Sequence, residues 1–510
     1  MNRFTRAIWF VLLPLALLLG VVYVVRSTTR SGWSDTDSYV VLAYSTYLGG
    51  SGPDKIICST ADAEGNLYVA GSTRSNDYPA TPGAYQTKHI AADDVIVAKY
   101  DPDGRLAWST LIADAVQERA HAIAVDDQGY VYICGNGGPA FVTTPGVFQR
   151  KYRGYGSRDR FFGSRNAFVA KIRPDGSDLA FSTFSGTGGS HWSLDIDGDG
   201  NLVVAFEYVP GSSPARPPAS WFAHAYQREP QGGKDIGVMK ISADGSKVLW
   251  ATYFGGSGDE SHAATLRVSQ DGDIYLFSCT DSDDLPTTLG VHDDRLDGKD
   301  YFLARLSSDG SSLVYCTYLG GAGAEFTGRN NLEIDAQGSA YVAAWTESPD
   351  FPVTEGVVQP NYAGGADATL TKFSPTGELL ASTFYGGSAW DFASGIAVDA
   401  EGHVLVTGTT ASRDLPVSRD AGQPTNAGRK DAFLAKFSND LTKLVYATYL
   451  GTETDDEAFT TTTDGAGSLF VIGHTWSKHW PTRNAAQGTH GGDRDIIVAK
   501  FTVQRRESAE

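Results

Sequence analysis

The side chains best suited to chemistry stand in two long segments, "NGGPAFVTTPGVFQRKYRGYGSRDRFFGSR" and "EYVPGSSPARPPASWFAHAYQREPQGGKD". The first carries Arg150, Arg153, Arg158, Arg160 and Phe161, and the second adds Trp221, His224 and Tyr226. Arginine presents a planar fork of donors and aromatic rings present broad rigid faces, which are the types that dominate binding hot spots. These eight residues form the candidate binding site, for a protein surface, a sugar or an anionic group. The competing reading is a pair of solvated loops whose rings pack on their own supports.

No residues are assigned as catalytic. There is no HExxH, GxSxG or phosphate-loop pattern, and no Ser/His/Asp order with supporting context. His121, His191 and His262 fall near equivalent points of a repeat; convergence with carboxylates around a cleft would favour an enzyme. Asp54, Glu118, Asp259, Glu260, Glu325, Asp391, Asp456 and Glu457 also recur, and read either as a ring able to hold a cation or as hydrated surface. "DIDGDGN" places Asp195, Asp197 and Asp199 in the alternation of a calcium loop, but Phe206 stands where the twelfth-position acid should be. No metal or cofactor is assigned. Cys58, Cys134, Cys279 and Cys316 are widely separated and read as small buried hydrophobes.

Lys+Arg 41 against Asp+Glu 60 gives a net charge of −19, which repels phosphate backbones and excludes nucleic acid as the expected partner. Residues 1–6 are basic, and residues 7–25 are an uncharged apolar run. As a helix, that run would span roughly 28 Å, close to a bilayer's hydrocarbon core. An uncleaved membrane anchor is expected, with a cleaved signal segment as the alternative; either way the body is exported. Residues 26–38 form a linker and 505–510 a polar tail.

The elements that must position these residues are repeats. Three series each count seven: a triplet ending in Thr (Tyr44-Ser45-Thr46 to Tyr446-Ala447-Thr448), a basic residue in "VAK"-like segments (Lys99, Lys171, Lys240, Arg305, Lys372, Lys436, Lys500), and a Gly/Asp turn before an apolar strand. Each unit holds four strand-like runs, so residues 39–504 read as an all-β, seven-bladed β-propeller of four-stranded antiparallel blades. The last unit has only three runs, and the run at Tyr39 has no partner before it. The N-terminal strand is therefore expected to complete the last blade, which removes two raw sheet edges. The "VAK" cations, their upstream Asp or Asn, and the "T-x-S-x-D-x-P" loops occur in most units and read as structural. The long loops between second and third strands share a face with the blade-to-blade crossings, and that face is the expected binding side.

The stretches "YSTYLGGSGPD", "GNLYVAGSTRSNDYPATPGAYQ", "DAFLAKF" and "DFPVTEGVVQ" resemble the SBBP repeat family of β-propellers. That resemblance implies an exported bacterial protein without a generally assigned reaction. The expected function is a binding or scaffolding module for a protein or glycan partner in the cell envelope, tethered by its N-terminal helix. The alternative is a lyase or hydrolase of extracellular polymers with a pocket at the channel mouth.

Overall fold

The computed structural model describes residues 38–90, 93–113, 117–153, 166–188, 191–210, 217–328 and 330–505. The expected anchor and most of the linker lie outside the described residues, as does 506–510 of the tail. The described chain forms seven antiparallel sheets. Blade 1 is Asp54–Ala61, Leu67–Thr73, Asp94–Tyr100 and Leu106–Ile112, and each later blade repeats this order. The first strand of each blade touches the first strands of its neighbours, so these strands line the axis and the ring is closed. They are Arg119–Val125, His191–Ile196, Glu260–Val268, Asp391–Val398 and Asp456–Thr463 in blades 2, 3, 4, 6 and 7.

Local sequence explains the strands. Third strands such as Asp94–Tyr100 and Asp300–Leu306 are buried at every position but the basic one. They are rich in β-branched and aromatic residues, as a strand covered on both faces must be. The core lies between blades: Tyr68 and Val97 of blade 1 pack with Ile123, Ile133 and Phe168 of blade 2. The turn joining first to second strands follows one design. In blade 1, Asp62 Oδ1 accepts the Asn66 N–H at 2.8 Å, while Gly65 sits at φ +86°, a left-handed conformation that glycine adopts without strain.

The last blade runs Asp456–Thr463, Leu469–Thr475, Asp495–Arg505 and then Ser38–Leu48. Tyr39 faces Gln504 and Leu48 faces Ile496, with a bulge between Leu42 and Tyr44. The chain's two ends thus close the ring, over a pairing one residue longer at each end than 39–504. Tyr44, Tyr47 and Leu48 are buried in this latch, and Trp480 Nε1 donates to Ser45 Oγ at 2.8 Å.

Blade 5 departs from the pattern. Its axial strand is split into Glu325–Phe326 and Leu332–Ile334. Between them Asn330 takes φ +63° and reaches across the axis, its Nδ2 donating to the Ile57 carbonyl of blade 1 at 3.2 Å. The Asn330 carbonyl accepts the Ile396 N–H of blade 6 at 3.2 Å. Asn330 thus links blades 5, 1 and 6.

Candidate functional site: the crossing face and the channel mouth

The second-to-third loops and the blade crossings do share one face. In blade 1, Ser75 Oγ donates to Asp54 Oδ2 at 2.9 Å and Thr73 Oγ1 also donates to Asp54, pinning the loop to the start of the axial strand. Glu260, Glu325, Asp391 and Asp456 are held in the same way by Thr280 and Ser282, Thr346 and Ser348, Thr410 and Ser412, and Thr475. The Ser N–H donates back to the Thr hydroxyl, at 2.9 Å for Ser75, which makes the hydroxyl turn read from sequence. The apolar residue that follows (Tyr78, Leu285, Phe351, Leu415 or Trp480) is buried as a plug. Phe141 takes that role in blade 2 although its segment lacks the Asp-aromatic-Pro element.

The recurring acids require a correction. Asp54, Glu118, Glu260, Glu325, Asp391 and Asp456 are buried, 0–1 % exposed, so they are neither hydrated surface nor an axial cation ring. Asp259 and Glu457 are half-buried. Five of the buried acids, Asp54, Glu260, Glu325, Asp391 and Asp456, meet the leading carboxyl of the preceding blade's third strand. A Cβ on Gly49 would lie 2.6 Å from Asp54 Oδ2 and 2.8 Å from Asp495 Oδ1, and one on Gly255 would strike Glu260 and Asp235 together. The crossing glycine is therefore dictated by the carboxyl pair packed around it. Asp300 with Glu325, Asp367 with Asp391 and Asp431 with Asp456 repeat the arrangement.

Burial raises every one of these groups. Asp54, Asp300, Asp367 and Asp456 rise to about 6, and Glu260 and Glu325 to about 7, because desolvation outweighs the hydrogen bonds that favour the anion. The neighbouring carboxylate adds to the rise, so a junction retains a proton where isolated acids would have lost theirs. Blade 2 supports this logic. Its third strand begins with Asn166, and blade 3, which follows, starts its axial strand at His191 with no acid in the pair position.

His121 and His191 are buried where blades 2 and 3 meet. His121 Nδ1 lies 3.0 Å from the His191 carbonyl, so that nitrogen carries the proton, and its ring stacks on Trp192 at 4.6 Å. Burial drives His191 down to about 3, with its ring edge-on to Phe206. The side chain of His262 lies outside the described residues.

Three further expectations resolve within the blades. Lys171, Lys240, Arg305, Lys436 and Lys500 pair with the turn acids Asp126, Asp197, Asp273, Asp399 and Asp464 at 2.6–3.4 Å, so the "VAK" cations are structural. Asp197 is saturated by Lys240 and Asn201, whereas Asp195 accepts from the Val268 N–H; the two do not converge as a calcium loop would. Asp399, Glu401 and His403 lie within ligating distance of one another. Lys436 Nζ already sits 2.7 Å from Asp399 there, and its charge opposes a cation. All four cysteines are free and buried.

Of the candidate binding residues, Arg150, Arg153 and His224 are exposed. Trp221 and Tyr226 are half-buried: Trp221 meets Phe148 edge-on at 5.9 Å, and Tyr226 packs on the core between blades 3 and 4. Arg158, Arg160 and Phe161 lie outside the described residues. Sequence reasoning passed over another position, the residue after each junction acid: Lys55, Arg119, Ser261, Phe326, Phe392 and Glu457. Its signal was present as a site in a repeated segment whose residue type changes around the ring, from cationic to aromatic to acidic.

A comparison with curated proteins finds no match. Among solved structures, the chain is similar to a protein of unknown function from Dyadobacter fermentans at 11% identity, covering 91% of this chain and 99% of that one, TM-score 0.44. A quinohemoprotein alcohol dehydrogenase from Comamonas testosteroni matches at 12% identity over 90% and 76% of the two chains, TM-score 0.40. BamB from Moraxella catarrhalis matches at 12% identity over 91% and 100%, TM-score 0.38. At these scores the likenesses say nothing about chemistry. Residues 43–79 match the SBBP β-propeller repeat model. The matched stretch runs from the strand that closes blade 7 into blade 1, and the described chain is a seven-bladed β-propeller.

Proposed function

We propose that the protein is a binding or scaffolding module for a protein or glycan partner, held outside the cytoplasm by its apolar N-terminal segment. The observation that carries this reading is the asymmetry of the ring. All the long second-to-third loops gather with the crossings on one face, whereas the first-to-second and third-to-fourth turns are short. Insertions confined to one face of a repeat scaffold are how such folds carry recognition. The alternative of an enzyme with a pocket at the channel mouth rests on His121 and His191, of which His121 is held by the His191 carbonyl and His191 is buried against Phe206.

The uncharged run at residues 7–25 supports the tether. Extended at about 3.3 Å per residue, the linker 26–38 reaches roughly 43 Å, which keeps the ring near the membrane.

The test is affinity capture from the native envelope with the full-length protein. Replacing Arg158, Arg160 and Trp221 together is expected to lower partner recovery at least about tenfold, the effect of losing one hot-spot contact or more, while the melting curve stays intact. Unchanged recovery would remove the blade 2 and blade 3 loops as the partner surface.

A further inference from the structure

The position after each junction acid lies at the crossing-side start of the axial strand, and its residues vary in an ordered way around the ring. Blades 5 and 6 place aromatic rings there. Phe326 stacks on Trp345, its cross-strand partner, at 6.0 Å and 11°. Trp345 meets Phe392 at 4.9 Å, and Phe392 stacks on Trp390 at 4.7 Å and 20°. A cation caps each end of this ladder: Lys299 Nζ lies 5.8 Å from the Phe326 centroid and Lys430 Nζ 4.9 Å from that of Trp390. All four rings are half-buried rather than packed away, in a repeat that has no structural use for them on its other blades.

The adjoining blades 7, 1 and 2 place cations at the same level. Lys55, Arg74, Arg119 and Arg494 lie close enough that their mutual repulsion, with burial, lowers Lys55. Asp93 serves both Arg74 and Arg119. Neither Lys55 nor Arg494 has a carboxylate within ion-pair distance among the described residues, and the buried Nε of Arg494 has no hydrogen-bond partner. Two further acids near the crossings lie beside lysines: Glu457 is 3.7 Å from Lys430, and Glu207 is 3.8 Å from Lys234. The Asn330 hydrogen bond to Ile57 ties blade 5 to blade 1 across the axis, which brings the aromatic and the cationic blades together.

From this juxtaposition we infer that the channel mouth is a binding site for an acidic glycan, with a sugar ring on the Phe326–Trp345–Phe392–Trp390 ladder and a uronate carboxylate at Lys55 and Arg494. The inference rests on the binding-module reading and names its ligand class, at a place separate from the blade 2 and blade 3 loops. The axial C–H face of a pyranose is apolar and fits an aromatic face, while its carboxylate fits the unmatched donors. Aromatic rings beside cations also suit single-stranded nucleic acid. A surface with net charge −19 opposes a polyphosphate, whose affinity needs many neutralised charges, more than it opposes a uronate chain.

The experiment is calorimetric titration of the purified chain with tetragalacturonate, its fully methyl-esterified form, and a short oligothymidylate. Saturable binding of the acid, lost on esterification and absent for the oligothymidylate, is the expected result. Lys55→Gln with Arg494→Gln should weaken it at least about tenfold, as should Phe392→Ala, whereas Phe392→Tyr should retain it. If Phe392→Ala fails to fold, the Lys55 and Arg494 pair still decides. Equal binding of the ester or of the oligothymidylate, no saturable binding, or binding unmoved by the double variant would each overturn the inference. Envelope capture that persists while tetragalacturonate fails to bind would sink this site alone; absence of any captured partner would sink the module reading beneath it.

Discussion

The propeller is expected to lose stability as the pH rises from 5 to 8, the opposite of a protein held by ionised surface pairs. Six of the junction carboxyls stand at about 6 to about 7 in the folded ring, above their ordinary values of 3.8 and 4.5, and burial raises their partners as well. A group raised by folding binds more protons in the folded state. Its stabilisation is fully present below the unfolded pKa and is lost as the pH climbs through the folded one. For Glu325, a rise from 4.5 to about 7 corresponds to ~3 kcal/mol at that junction. The paired acids of one junction share this effect, and five such pairs line the ring.

The turn aspartates Asp197, Asp399 and Asp464 act in the other direction. Asp399, hydrogen-bonded by His403 and paired with Lys436, is depressed to about 2, so its contribution exists above about pH 4 and disappears below. The stability maximum should therefore fall near pH 5, between the two sets. Thermal melts across pH 3 to 9 check this. Glu325→Gln, which imitates the protonated acid, should match the wild type near pH 5 and melt higher at pH 8. A melting temperature that is flat or rising from pH 5 to 8 would refute the proton-sharing junction.

Removal of residues 1–48 should abolish the soluble ring. The deletion takes away Tyr44, Tyr47, Leu48, Val40 and Leu42, all buried. At ~1.5–3 kcal/mol for each buried side chain, the loss rivals the ~5–15 kcal/mol that holds an ordinary domain folded. It also strips the partner from Asp495–Arg505 and leaves an apolar edge ready to pair with other chains. Size-exclusion chromatography should show aggregate in place of monomer, and a synthetic peptide of residues 38–48 added during refolding should restore part of the monomer. A soluble, sharply melting deletion variant would mean that the ring closes without the latch.

Much of this architecture was legible because repetition lets seven imperfect copies vote on each element. The seven "VAK" cations and the unpaired runs at Tyr39 and Asp495 specified blade number and closure before any coordinates, since a missing strand can be counted. The junction acids were visible and misjudged. Spacing within a repeat shows that Glu260 recurs, but not that Asp235 of the preceding blade meets it across Gly255, because that contact joins different copies. The mouth was harder still. Phe326, Trp345, Phe392 and Trp390 form one ladder only when two blades sit side by side, and no window of sequence contains them as a group. The break in blade 5, by contrast, left a trace, since "EFTGRNNLEI" holds an Asn pair after Gly that no sister axial strand carries.

Closure by the chain's two ends underlies the junction between blades 7 and 1, the mouth and the latch alike, and a cross-link tests it directly. Val41 stands opposite Thr502 in the register. Directly opposed strand residues lie ~4.5–5.5 Å apart at Cα, within the range a disulfide spans. In Val41→Cys with Thr502→Cys, mild oxidation should join the ends, and mass spectrometry of the digest should recover a peptide bearing residue 41 linked to one bearing residue 502. Both thiols remaining free and labelling at the rate of unfolded chain would contradict the closed ring.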